Sequence, residues 1–267
     1  MLTVRPVFVG DGLSLADVTC RHDRGRGLVE PAPARMLVLV RRGCFTRSAN
    51  GMVSVLDPTT ACFINPGEEQ RYDHPHHDGD DCTAIGVDTT LASAVHGGEP
   101  DLPAGVVPIS PALDLAHRTL LAEVRRGDHG HQLYERALQL ITAVLQIASP
   151  GRVASGSPAG SRARHALAAA AREALAERPE RTLTELAREL TVSPHHLSRV
   201  FSATTGHTIS RHRMRLRTRA ALERLAAGEN NLARLAADLG FTDQSHLCRV
   251  VRSESDVPPS VLRRLLT

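Results

Sequence analysis

Two short stretches hold the side chains best suited to chemistry. In "GFTDQSHLCRVV", Gly240 to Val251, a serine, a histidine and a cysteine fall within four positions beside Arg249, the residue types of a nucleophile, its base and a soft metal donor. In "NPGEEQRYDHPHHDGDDC", Asn65 to Cys82, His74 and His76 stand two apart and would share one face of a strand, with His77, Asp78 and Cys82 as further donors. Adjacent positions on a helix point about 100° apart, so Ser245, His246 and Cys248 cannot converge on one reacting atom. Neither a Gly-rich phosphate loop nor a Ser/His/Asp constellation is evident. The residues therefore predict a binding protein rather than an enzyme, with no cofactor.

The 267 residues suffice for two domains, and 42% hydrophobic with 23% charged residues is ordinary for a globular chain. No apolar run approaches the roughly 18 residues of a membrane span, and the N-terminus lacks the pattern of a secretory signal, which predicts a cytoplasmic location. All 32 basic residues are arginine, and they are unevenly placed. Residues 1–159 hold 14 Arg against 18 acidic residues, whereas 160–267 hold 18 against 11. The C-terminal part is thus expected to meet a polyanion. The five cysteines, Cys20, Cys44, Cys62, Cys82 and Cys248, form no Cys-x-x-Cys pair, and they predict small buried thiols rather than a disulfide framework.

What must position these residues is legible in the hydrophobic pattern. From Arg35 to Val87, apolar runs such as "RMLVLV", "GMVSVLD" and "DCTAIGV" alternate with turn residues, as in a small β-sandwich or barrel. "ALDLAHRTLLAEVRRG" and "HQLYERALQLITAVLQIA" carry apolar residues at helical spacing and predict an antiparallel helix pair. "SPGRVASGSPAGSRA", Ser149 to Ala163, predicts a flexible linker. Beyond it the pattern is helical throughout.

Within the basic part a unit is duplicated. "LTELARELTVSPHHLSRVF" and "LARLAADLGFTDQSHLCRVV" share a short amphipathic helix, a tight turn and a second helix with His-Leu-x-Arg-Val, at an offset of 49 residues in the first helix and 50 in the second. Each has the anatomy of a helix-turn-helix, with Ser193 and Pro194 opening one second helix, and Gly240 and Thr242 or Asp243 leading into the other. Between the units, "TISRHRMRLRTRAALERLAAG" predicts a helix of about 18 residues, roughly 27 Å long, able to hold two recognition helices in successive major grooves about 34 Å apart. Its arginines at 211, 213, 215, 217 and 219 spread around the helix and divide between phosphate contacts and ordinary surface pairs.

Residues 165–266 resemble the AraC-type transcriptional regulators. The resemblance is carried by "LARLAADLGFTDQSHLCRVVRSESDVPPSVLRR", "SPHHLSRVF" and "TGHTIS". Leu247, Val251 and Leu262 stand where that family commonly has aromatics, and Ile209 and His212 where it has Pro and Tyr. The resemblance implies an α+β chain: an N-terminal cupin-like β-barrel with a helix pair, and a C-terminal all-α domain with two helix-turn-helix motifs. Its expected parts are a sensor barrel at 1–108, a helical dimerisation segment at 109–148, a linker at 149–163 and a DNA-binding domain at 164–267. The implied partners are double-stranded DNA, a second copy of the chain, a small-molecule effector and RNA polymerase, with no membrane.

Arginine can donate a bidentate pair to guanine, so Arg199 and Arg249 lead the residues expected to read bases. His195, His196, Ser198 and Ser202 in the first recognition helix, and Gln244, Ser245, His246, Cys248 and Arg252 in the second, are expected to face DNA beside them. Of these, Arg252, together with Thr182 and backbone N–H groups at the helix starts, is expected to fix register on phosphate. With no Trp and two Tyr, a stacking platform for sugars is poorly supplied. The sequence also allows a second function, a metal- or redox-binding cupin with enzymatic activity and an appended DNA-binding domain, whose ligands would be His74, His76 and Cys82.

Overall fold

The computed structural model describes residues 2–21, 25–74, 79–127, 131–148 and 158–267. Eleven strands lie among the described residues: β1 (Leu2–Gly10), β2 (Leu13–Cys20), β3 (Gly25–Arg26), β4 (Glu30–Pro31), β5 (Met36–Arg42), β6 (Phe45–Ala49), β7 (Met52–Leu56), β8 (Thr60–Ile64), β9 (Glu69–His74), β10 (Asp80–Val87) and β11 (Val106–Pro108). One sheet runs β1-β2-β10-β5-β8-β11 and the other β3-β9-β6-β7, with β4 also on β9. The expected barrel is therefore corrected to two separate sheets that do not close on each other. The chain changes sheet at corners instead of continuing one ladder, and Gly43 and Gly79, both at positive φ, turn two of them. A side chain at Gly43 would strike the Gly79 carbonyl, at 2.3 Å from its Cβ.

The central strand β5 explains the unbroken apolar run in its sequence. Leu37 and Leu39 enter a core shared with Phe63, Ile85 and the helices. Val40, with Val38 packed beside it, faces the second sheet with Phe45, Cys62, Ile64 and Cys82. A strand buried on both faces needs apolar residues at every position. The helices over the outer face are α1 (Thr89–Val95), α2 (Pro111–Arg125) and α3 (His131–Ala148), the last two being the pair predicted from periodicity. Ser110 caps α2 by accepting from Leu113 N–H, with Pro111 at its first position.

The C-terminal helices are α4 (Pro158–Glu177), α5 (Leu183–Glu189), α6 (Pro194–Thr205), α7 (Ile209–Ala226), α8 (Leu232–Asp238), α9 (Gln244–Ser255) and α10 (Pro259–Leu266). The linker expected at 149–163 is corrected at its end, because residues 158–163 belong to α4. Pro158 suits a first helical position, and the Ala- and Arg-rich residues after it favour helix. Residues 149–157 lie outside those described.

Buried charges join the two halves. Asp57, fully buried before β8, accepts from Arg172 of α4 at 2.7 and 2.9 Å. Asp114 of α2 accepts from Arg118 at 2.9 Å and from Arg219 of α7 at 3.0 Å, and Arg219 also donates to the carbonyls of Pro58 and Ile109. Arg118 pairs in addition with Glu223 of α7, and Thr46 of β6 donates to Glu173 of α4 at 2.8 Å. Arg219 is 1% exposed, so it is an interior ion of the junction and contacts no phosphate in this arrangement.

Candidate nucleic-acid interface

Each helix-turn-helix is built around a small apolar cluster. Leu186, Leu197 and Phe201 are buried with Ala171 and Leu175 of α4, and Leu190 and Val192 pack at the edge. In the second unit Leu235, Phe241, Leu247 and Val251 are buried with Leu222 and Leu225 of α7, and Leu262 and Leu266 of α10 complete the cluster. Where aromatics were noted as common, Leu247, Val251 and Leu262 are each fully buried, so they serve as ordinary core residues. The middle helix α7 has no single apolar stripe because both clusters and the junction draw on it.

The turns obey the one-residue difference seen in the sequence. Thr191 at φ 56° and Gly240 at φ 69° hold equivalent left-handed positions. After them Ser193 caps α6 through His196 N–H at 3.2 Å, and Asp243 caps α9 through His246 N–H at 2.7 Å. Thr182 closes a capping box on α5, accepting from Glu185 N–H while Glu185 accepts from Thr182 N–H.

Burial of one face leaves the opposite face of each second helix to solvent. His195, His196 and Arg199 on α6, and Gln244, Ser245, Arg249 and Arg252 on α9, are exposed, while Ser198, Ser202, His246 and Cys248 are half-buried. Among the described residues neither Arg199 nor Arg249 pairs with a carboxylate, so each guanidinium is available for a bidentate contact. His246 is differently employed. Its Nδ1 lies 3.3 Å from both Thr242 N and Oγ1, and its ring meets Phe241 edge-on at 5.4 Å. It braces the turn as a second cap residue. Cys248 has its thiol pushed up by burial, the opposite of an activated nucleophile.

The arginines of α7 separate into distinct roles. Arg211 is exposed. Arg213 donates to the Arg181 carbonyl at 2.7 Å, and Arg217 to the Gly240 carbonyl at 2.9 Å, so both brace the helix-turn-helix frame. Arg215 lines a cleft of about 310 Å³ between the halves, together with Val55, Val106, Ala169, Arg172 and His207. Its Nε is buried without a hydrogen-bond partner, and desolvation lowers its pKa. His212 is fully buried, stacks on His207 at 5.4 Å and lies 3.6 Å from Asp57. Burial brings its imidazole down to about 4, so it is neutral near neutrality. The contacts that cross this junction, Asp57 with Arg172 and Asp114 with Arg219, were not anticipated, because more than 100 residues of chain separate the partners.

The sequence predicts no metal site as its main reading, and the donors of the alternative cupin reading, His74, His76 and Cys82, are only partly described. His74 ends β9, with its Nε2 2.7 Å from Asp80 Oδ2, and Cys82 Sγ donates to Asp80 Oδ1 at 3.3 Å. His76 lies outside the described residues. His96 ends α1, its Nδ1 2.8 Å from the Asp101 carbonyl.

A family model described as "Helix-turn-helix domain" matches residues 186–265, which takes in both units. Among solved structures, apo ToxT from Vibrio cholerae is 9% identical, covering 97% of this chain and 100% of its own, at a TM-score of 0.43. The C-terminal domain of AraT, a response regulator from Geobacillus stearothermophilus, is 25% identical over 42% of this chain and 88% of its own, at 0.31. The Schizosaccharomyces pombe Cnp3 cupin domain is 12% identical over 37% and 72%, at 0.31. No curated protein sequence matches the chain.

Proposed function

We propose that residues 186–265, matched by a helix-turn-helix family model, are a DNA-binding domain of the AraC type, and that the chain is a sequence-specific transcription regulator whose grip on DNA is set by an effector acting through its β-rich half. The observation that carries this reading is the presentation of two equivalent helices, α6 and α9, by the ends of one connecting helix, each exposing an arginine without a carboxylate partner. Arg199 and Arg249 read bases, with His195, His196, Ser198, Ser202, Gln244, Ser245, His246 and Cys248 around them and Arg252 on phosphate. The 18 residues of α7 span about 27 Å, compatible with adjacent turns of one major-groove face.

The effector acts at the cleft between the halves, because a ligand there touches β7, β8 and β11 on one side and α4, α6 and α7 on the other. Apolar walls with Arg172, Arg215 and His207 suit a small amphipathic anion. Such a ligand shifts the DNA-binding half only if it prefers one arrangement of the two halves. The active form is a homodimer, associating through the β-rich half and the helix pair at 109–148; the exposed Leu2, Val4 and Val9 of edge strand β1 supply one apolar surface for it.

Selection of bound fragments from a random or genomic DNA pool tests the proposal. The expected result is one enriched motif with two short elements about a helical turn apart. Enrichment without a motif, or with equal retention by an Arg199→Ala/Arg249→Ala double variant, would overturn it.

A further inference from the structure

Cys20 closes β2 and Asp80 opens β10, and the two are direct cross-strand partners, so their side chains emerge on one face of the sheet. His74, at the end of β9, comes from the other sheet. The donor atoms of Cys20, His74 and Asp80 all lie within 4.8 Å of one another. Cys82, two residues on from Asp80 and on the same face, places its Sγ 3.3 Å from Asp80 Oδ1. The four side chains are withdrawn from solvent, His74 keeping 9% of its exposure and Asp80 5%. Gly79 allows this approach, since a Cβ there would sit 2.0 Å from the Cys20 carbonyl oxygen.

The charge balance of this cluster differs from that of the other buried carboxylates. Asp57 and Asp114 are each answered by arginine. Around Asp80, Arg21 donates to its backbone carbonyl and to Asp81, Arg42 pairs with Asp81, and Arg41 turns to Asp17 and the Cys82 carbonyl. Among the described residues no guanidinium reaches the Asp80 carboxylate. It faces the His74 imidazole and the Cys20 and Cys82 thiols.

We propose that Cys20, His74 and Asp80 form a binding site for Zn²⁺ or a divalent cation of similar softness, pinning the ends of the two sheets together. One sulfur, one imidazole nitrogen and one carboxylate oxygen supply three corners of a tetrahedral zinc donor set, with water for the fourth and bonds of about 2.3 Å to sulfur and about 2.0–2.2 Å to nitrogen and oxygen. A thiolate donor disfavours Mg²⁺ and Ca²⁺. On binding, the Cys20 thiol releases its proton to solvent, and the metal replaces the His74–Asp80 hydrogen bond as the common partner. The assignment retains His74 from the sequence and takes Cys20 and Asp80 in place of His76 and Cys82, which stays beside the site as a donor to Asp80. It is independent of DNA recognition.

The test uses the full-length chain, reduced and stripped of metal, titrated with Co²⁺ and then Zn²⁺. One equivalent of Co²⁺ is expected to give visible bands of tetrahedral cobalt and a sulfur-to-cobalt charge-transfer band in the near ultraviolet, both erased by one equivalent of Zn²⁺. Cys20→Ser and His74→Gln are each expected to weaken Zn²⁺ binding by at least about tenfold, and Cys248→Ser to leave it unchanged. Folded wild-type protein that gives only the weak octahedral cobalt spectrum overturns the proposal, whether or not the variants fold. So does a thiolate band that persists in both ligand variants, since the metal would then lie elsewhere.

Discussion

Replacing Asp57 by Asn tests whether buried charge holds the two halves together. The Asp57 carboxylate accepts from Arg172 twice through Oδ2, and from Thr59 N–H at 2.8 Å and Thr59 Oγ1 at 2.6 Å through Oδ1. Burial by itself would raise its pKa, but Arg172, then His212 and the Thr59 hydrogen bonds, bring it down to about 2. Against an ordinary value of 3.8, that is worth about 2 kcal/mol at neutral pH. Asparagine preserves the shape and the Thr59 contacts, yet turns an amide toward Arg172, whose side chain is only 15% exposed. Breaking a buried pair from one side costs about 3–5 kcal/mol, and the partial exposure of Arg172 places this case near the lower end. Urea denaturation near pH 7.5 should therefore show a loss of about 2–3 kcal/mol at unchanged slope. Because the folded-state pKa is depressed, the contribution is complete above about pH 4 and disappears as pH falls toward 2, where the two proteins should converge. In a double-mutant cycle with Arg172→Met, the paired change should cost clearly less than the two single changes together. A loss below about 0.5 kcal/mol, or strict additivity in the cycle, would refute the assignment of this contact as a junction.

Four further outcomes are expected. Arg199→Ala and Arg249→Ala should each cost about 1–3 kcal/mol in binding to the selected motif and far less on unrelated DNA; equal loss on both would make them phosphate contacts. Gly240→Ala and Thr191→Gly should act in opposite directions: alanine at φ 69° costs about 1–2 kcal/mol, whereas glycine at φ 56° relieves similar strain and gains up to about 1 kcal/mol after its unfolded-state entropy, as read from thermal midpoints. His117 and His212 are brought down by burial to about 3 and about 4, so only the unfolded chain takes up their protons below about pH 6.5. Stability should accordingly fall between about pH 6.5 and 4, and His212→Asn should flatten part of that slope. In a thermal-shift screen, stabilising compounds should be mainly amphipathic anions, and Arg215→Gln should abolish their shifts.

The helix-turn-helix units were readable from sequence because their determinants are local. Helical spacing sets which face is buried, Ser193 and Asp243 cap within three residues, and the left-handed turn needs one residue at Gly240. Duplication also places Ser198 where the second copy has Cys248, around a shared leucine and arginine. Less legible were the ties of His246 and Thr182 to neighbouring caps, which emerge only when rotamers are placed. Alternation in β5 to β10 revealed strands but could not distinguish a barrel from two sheets, since that depends on which corner redirects the chain.

By itself the sequence determined that a basic helical half carries two copies of a helix-turn-helix unit and that an acidic half is rich in strands. Those properties follow from periodicity, charge and short-range capping, which one segment of chain can satisfy alone. Only the tertiary structure decided that Asp57 meets Arg172, that Asp114 meets Arg219, and that Cys20 and Asp80 face His74. A buried charge or donor cluster needs partners from distant strands and helices, and no spacing along the chain encodes which of them the fold will bring together.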